Sequence, residues 1–321
     1  MKMLATFSIC SMISLIEYSQ KLNLFKSKAP ELPDLFASGV ISDQFGNRNM
    51  AISPDASEFM YTLQYKSGAY SGILYCKYKN GKWSVPDIAP FSGQYNDLEP
   101  AYAPDGSKLY FVSNRPLTAQ GKVKDYDIWL VEKNAHGDWG SPVILPSPVN
   151  TSKNEFYPAV TSSGNIYFTR EMPDQDEDIV VCTWNGSGYD DAVSLPAAIN
   201  SNKVEFNAYI VADEQFILYT AYRREGNSGS GDIYIYISFK NEEGHWGTSS
   251  NLGPKINDSG LTCCPYVSPD KKYFFFTSSR WSAPPFDSKK NLKQIKTLLS
   301  SPMNGWDNIY FMDASTILSK K

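Results

Sequence analysis

The feature that most narrows the fold is a turn that returns at a nearly constant interval. Ser53-Pro54-Asp55, Ala103-Pro104-Asp105-Gly106, Ser162-Ser163-Gly164, Ala212-Asp213-Glu214 and Ser268-Pro269-Asp270 each separate two short apolar runs. The equivalent residues Asp55, Asp105, Ser163, Asp213 and Asp270 stand 50, 58, 50 and 57 residues apart. A period of this length is that of a four-stranded propeller blade, a unit that cannot bury its faces without neighbours. The fullest copy runs from Asn96 to Trp129: an acid, a first strand, the Pro-Asp-Gly turn, a second strand LYFVS, an Arg, a polar loop and an Asp opening a third strand.

Two further markers keep step with the turn. Gly-x-Trp at Gly81-Trp83, Gly137-Trp139 and Gly244-Trp246, replaced by Gly188-Tyr189 in the third unit, follows each third strand as a hairpin into a fourth strand would. These aromatics are expected to pack the blade edge. Ahead of each first strand, an apolar residue precedes a polar one by six positions: Ile41/Asn47, Phe91/Asp97, Val149/Glu155, Ile199/Glu205 and Ile256/Thr262.

Closure follows from the two ends. LPDLFASGVIS (32–42) looks like the fourth-strand segments SPVILPSPVN (141–150) and NLGPKIN (251–257), whereas NGWDNIYFMDAS (304–315) is a third strand with no successor. Pairing the two gives an all-β, five-bladed β-propeller over 31–321, closed by an N-terminal fourth strand, with no open blade edge. The expected blades are 43–92, 93–150, 151–200, 201–257, and 258–315 with 31–42. The fourteen per cent of aromatic residues favours strands, and a net charge of −4 with interspersed signs argues against a nucleic-acid partner.

Residues 2–16 (KMLATFSICSMISLI) place a lysine before a short apolar run that is too brief for a membrane span. Residues 1–30 are therefore expected to be an export signal and short linker, delivering the chain to the periplasm or cell surface; lipidation at Cys10 is the alternative. Cys76, Cys182, Cys263 and Cys264 read as buried small hydrophobes and not as a disulfide framework. Between Arg280 and Asp307, SKKNLKQIKTLL carries Leu292, Ile295 and Leu299 at helical spacing, a lid over the axis or a packed insert.

The pattern PxxSPDGxxxYFxSxR…DIYxxx…GxWxxPxxL resembles the WD-like propeller repeat of the TolB type, known from exported proteins of Gram-negative bacteria, over roughly 31–315. The resemblance implies a protein-interaction or ligand-binding platform; fold alone does not give activity. Blade one lacks the Arg and the Asp, and blade three lacks the Pro-Asp.

The loop into the first strand and the loop between second and third strands share one end of each blade, and the polar residues gather there. Asp97, Glu155 and Glu205 are expected to surround the axis, with Arg115, Arg170, Arg223 and Arg280 following the second strands and Asp127, Asp178, Asp232 and Asp307 opening the third. Arg/Asp pairs at adjacent strand ends would hold the loops. Three converging carboxylates would instead have raised pKa values unless an Arg, cation or ligand offsets them. Tyr157, Trp281 and Trp306 suit stacking on sugar or packing on a partner, and Trp306 also suits blade packing.

Both histidines, His136 and His245, lie in hairpins at the opposite end, which disfavours a Ser-His-Asp site and zinc; no phosphate loop is present and no cofactor is expected. A glycoside hydrolase or lyase needs only two facing carboxylates, and Asp97, Glu155 and Glu205 leave that alternative open. The leading expectation is a monomeric binding module for an envelope protein or a glycan.

Overall fold

The computed structural model describes residues 28–118, 120–172, 176–224, 232–258, 260–281 and 289–319, and the expected export segment lies almost wholly outside them. Five small antiparallel sheets form the five blades. Their first strands are Gly46–Ile52, Asp97–Tyr102, Glu155–Val160, Val204–Ile210 and Thr262–Val267. Each pairs with the second strand that follows it, Glu58–Tyr65, Lys108–Ser113, Ile166–Glu171, Phe216–Tyr222 and Tyr273–Ser278. The fifth sheet takes its outer strand, Asp34–Leu35, from the N-terminal side, against Asn308–Asp313. The expected closure holds.

Local chemistry explains the repeated turn. The residue after Asp55, Asp105, Ser163, Asp213 and Asp270 is left-handed in every blade: Ala56 (φ 53°), Gly106 (71°), Gly164 (88°), Glu214 (57°) and Lys271 (57°). Asp105 Oδ1 accepts from Ser107 N at 2.9 Å, and Asp55, Asp213 and Asp270 accept from the amide two residues on in the same way. That local bond offsets part of the cost of left-handed backbone at Ala56, Glu214 and Lys271.

The apolar residues before each blade, Ile41, Phe91, Val149, Ile199 and Ile256, are all buried. The residue after each one is also repeated in kind. Asn150, Asn200 and Asn257 each accept the N–H and donate to the C=O of one third-strand residue, Ile128, Ile179 and Ile235. Ser92 accepts from Ile73 N, and Ser42 both donates to Ile309 O and accepts from Ile309 N. These five side chains staple each fourth segment to its third strand.

The Gly-x-Trp aromatics do pack the edges. Trp83 lies against Phe59, and Trp139 is buried beside Tyr102 with Nε1 donating to Glu58 Oε1 of blade one at 3.0 Å. Phe36, fully buried on the closing segment, meets Phe59, Phe275 and Phe311 edge-on, so blades one and five share its ring. Phe36→Ala should destabilise the whole ring by about 3–5 kcal/mol in a denaturant titration monitored by tryptophan fluorescence. A loss below about 1 kcal/mol would mean that the closing strand is not part of the cooperative unit.

Candidate functional site

At the polar end the three carboxylates are already engaged. Asp97, Glu155 and Glu205 are fully buried, and each is bound by an arginine of its own blade. Asp97 accepts from Ser92 Oγ at 2.9 Å, Ser113 Oγ at 2.6 Å and Arg115 Nη2 at 2.6 Å. Glu155 takes Thr151 Oγ1 at 2.7 Å and Arg170 Nε at 3.1 Å, and Glu205 takes Ser201 Oγ at 2.6 Å and Arg224 Nη1 at 3.1 Å. The arginines also donate to backbone carbonyls of the incoming segment: Phe91 for Arg115, Pro148 and Val149 for Arg170, Ala198 and Ile199 for Arg224. Each guanidinium lies about 5–6 Å from a second-strand ring, Phe111 for Arg115, Phe168 for Arg170 and Tyr219 for Arg224, a cation–π contact that Arg280 of blade five repeats with Phe276. The unit is a latch joining one blade to the connection from the blade before it. Burial still holds the Glu155 and Glu205 carboxyls above their ordinary value, with the hydroxyl and Arg contacts working against it.

The latch of blade four uses Arg224, not Arg223, because Arg223 adopts φ 50° and turns outward to an exposed pair with Asp232. The latch arginines Arg115, Arg170 and Arg224 pair with the acid opening the first strand; of the expected pairs with the acid opening the third, Arg223–Asp232 forms at 3.1 Å, whereas Asp127 binds Lys124 and Asp307 lies 3.8 Å from Arg48. Blade five has Thr262 where the acid would be, and Arg280 reaches Lys255 O, Ile256 O and, at 3.6 Å, Asp258. Trp281 and Trp306 are exposed at this end, whereas Tyr157 lies buried at the axis.

The axial residues sit two positions after Asn47, Asp97, Glu155, Glu205 and Thr262. Every first-to-second strand pair carries a register shift there, and the residue in the bulge has positive φ: Asn49 (55°), Glu99 (58°), Tyr157 (51°), Asn207 (49°) and Cys264 (53°). The bulge frees a backbone N–H at the crowded centre, which needs an acceptor. Thr62, Thr169 and Thr277 Oγ1 of the preceding blade accept from Glu99, Asn207 and Asn49 N at 2.9, 3.0 and 3.2 Å. Blade two carries Val112 at this position, across from Leu98, and has no hydroxyl to offer. Glu99 fills the gap: its Oε2 accepts from Tyr157 N at 2.7 Å, and its Oε1 accepts from Asn207 Nδ2 at 3.3 Å. Burial raises the Glu99 pKa against the opposing charge of Arg48 and these two bonds.

Arg48 donates to Gln64 Oε1 at 3.2 Å and to Cys264 Sγ at 3.1 Å. Burial works to raise the Cys264 thiol, but the Cys263 hydrogen bond and Arg48 outweigh it and lower the pKa. All four described cysteines are free and buried, as expected of small hydrophobes. No three His, Cys, Asp or Glu among the described residues form a group able to hold a metal ion.

From these bulges toward the opposite end runs an axial cavity of about 350 Å³, bounded by Asn49, Glu99 and Tyr157 and by the turn residues Pro54, Pro104, Ser162, Asp213 and Pro269. Its tyrosines have spent their hydroxyls on the scaffold: Tyr102 on Glu58, Tyr157 on Pro265 O, Tyr209 on Val267 O and Tyr266 on Ile52 O. They offer ring surface to the cavity. Asn49 differs from them: it is 2% exposed, and neither its Oδ1 nor its Nδ2 has a hydrogen-bond partner among the described residues. Lys271 and Asp213 form an exposed ion pair at 3.1 Å on the rim. Sequence reasoning looked to the other end, where charge was the visible signal. The signals it missed are the uncharged Asn49 and the Thr-to-Val change at Val112.

No protein-family model matches the chain, and no curated protein matches it in sequence. Among solved structures it is similar to TolB from Acinetobacter baumannii, at 14% identity and TM-score 0.48 over 84% of this chain and 55% of that one. The chain thus spans about half the length of that protein. A protein assigned as TolB from Agrobacterium tumefaciens shares 15% identity at TM-score 0.47, covering 84% of this chain and 90% of the other. BT0996, solved as an RGII complex, shares 8% identity at TM-score 0.53, with 89% and 91% covered. These are likenesses of fold. The five-bladed propeller expected from the repeat is the fold observed.

Two outcomes test the electrostatics at the axis. Glu99→Ala should cost about 1–3 kcal/mol by stranding Tyr157 N–H, and Val112→Thr should restore part of that loss only in the Glu99→Ala background, read as a coupling energy in a double-mutant cycle. Half-buried Glu177 is pushed up to about 7 by burial and by the charges of Glu99 and Glu171. Its contribution to stability is intact below the ordinary 4.5 and is lost as pH rises through about 7. Glu177→Gln should therefore melt above the parent at about pH 8 and level with it at about pH 4 in thermal scans.

Proposed function

We propose that this propeller is an exported binding module that takes a short segment of an envelope protein partner into the axial cavity. The observation that carries the reading is Asn49: a buried carboxamide with an unpartnered donor and an unpartnered acceptor, at the floor of a cavity walled by proline and tyrosine. An unpaired buried amide costs about 1–3 kcal/mol, and a ligand that pairs both atoms recovers it. A donor and an acceptor side by side match one peptide group, and the apolar walls suit the side chains flanking it. A glycan would ask for more free polar groups than these walls offer, since the tyrosine hydroxyls are engaged.

The hydrolase alternative is weakened by the same accounting of partners. Asp97, Glu155 and Glu205 are each buried and bound to an arginine in their own blade, so each carboxylate is already engaged by the scaffold.

The test is a peptide-display selection on the full chain, followed by calorimetry with the selected peptides and with a panel of soluble glycans. Asn49→Gly keeps a residue suited to φ 55° and removes the amide. It should weaken peptide binding by about tenfold or more while leaving the unfolding temperature unchanged or raised. Binding that survives Asn49→Gly, or binding of glycans alone, would sink the reading.

A further inference from the structure

The insert of blade five folds as a helix, α1 (Leu292–Leu299), that buries none of its residues. Its start is fixed by a capping box, Asn291 Oδ1 accepting from Gln294 N at 3.0 Å and Gln294 Oε1 from Asn291 N at 2.9 Å. Its end is tied to the ring by Asn304 Nδ2, which donates to Leu299 O at 3.0 Å and Gln44 O at 3.2 Å. The helix is therefore held in place while its apolar stripe stays in water: Leu292, Ile295 and Leu299 are 68, 41 and 60% exposed. Leu299 continues into a shallow depression with Phe45, Tyr65 and Trp306, all three also exposed.

Charge runs beside this stripe. Lys289, Lys290, Lys293 and Lys296 fall in and just before the helix, and no acid occurs from Lys289 through Trp306, in a chain whose net charge is −4. Lys289, Lys293 and Lys296 make no ion pair with a described residue.

We propose that α1, with Trp306, Tyr65 and Phe45, docks the propeller on an anionic lipid surface. Leucine, isoleucine and tryptophan on one face flanked by lysines is the composition of a helix lying in the plane of a membrane interface. Long lysine stems cover apolar surface while the ammonium groups reach out to phosphate headgroups. Lysines are mobile point charges suited to a diffuse anionic layer, whereas a fixed carboxylate on a protein is matched better by the planar fork of arginine. The net negative remainder of the ring is repelled by the same surface, which orients the molecule. Since α1 follows the second strand of blade five, it sits at the latch end, and docking leaves the mouth of the axial cavity facing away from the lipid.

The test is co-sedimentation of the full chain with vesicles of phosphatidylcholine alone or mixed in equal parts with phosphatidylglycerol. The parent should partition about tenfold more to the mixed vesicles, and less as salt is raised. Lys289→Glu/Lys293→Glu/Lys296→Glu should lose that preference with an unchanged melting temperature, because no helix residue is buried. Leu292→Ser/Leu299→Ser should weaken partition independently, and Trp306→Phe should reduce the blue shift of tryptophan emission on adding vesicles. Equal partition of parent and charge-reversal variant, equal partition to both vesicles, or none to either overturns the proposal; the apolar segment 2–16 is common to all variants and cancels from the comparison.

Discussion

At four of the five first-strand bulges, Asn49, Glu99, Tyr157 and Asn207, the displaced backbone N–H donates to a side-chain oxygen of the preceding blade, and these bonds hold the centre of the molecule together. Packing five first strands around one axis crowds their inner edges, and the bulge with its left-handed residue relieves the crowding by one residue per blade. The consequence is a buried donor that no strand partner can take. A threonine hydroxyl meets it from blades one, three and five, and the Glu99 carboxylate meets it where the chain has Val112. Glu99 is thus an acid at the axis for a backbone reason, and its two oxygens also tie blade two to blades three and four.

The outer part of the ring is organised by a second repeated device, the Arg–carboxylate latch. It combines a buried ion pair, a hydroxyl and backbone carbonyls, so that each charge is satisfied several times over. Such a unit is stabilising because it is complete, and its completeness leaves nothing for a ligand. The cavity at the other end has the opposite character. Its tyrosine hydroxyls are committed, its lining mixes proline and tyrosine rings with Glu99, Ser162, Asp213 and Lys271, and the Asn49 amide is left without a partner among the described residues.

Much of the fold was legible in the chain. The Pro-Asp turn, the Gly-x-Trp hairpin and the buried residue before each first strand recur because each blade solves the same packing problem, and the orphan fourth strand at 32–42 announces the closure. The α1 helix was legible from Leu292, Ile295 and Leu299. The site was less so. Asp97, Glu155 and Glu205 stand out by charge, but a sequence does not show that Arg115, Arg170 and Arg224 fold back onto them. The shift from Arg223 to Arg224 depends on one backbone angle.

The sequence by itself determined the number of blades, their order, the closing strand and the amphipathic insert, because these rest on periodicity and local turn chemistry. Only the tertiary structure decided which polar groups are spent and which are left over. Whether Asn49 is paired depends on residues hundreds of positions away, and Glu99 is recruited because a hydroxyl is missing from its own blade's second strand. Hydrogen-bond satisfaction at a propeller axis is a property of five blades brought together, and no single repeat encodes it.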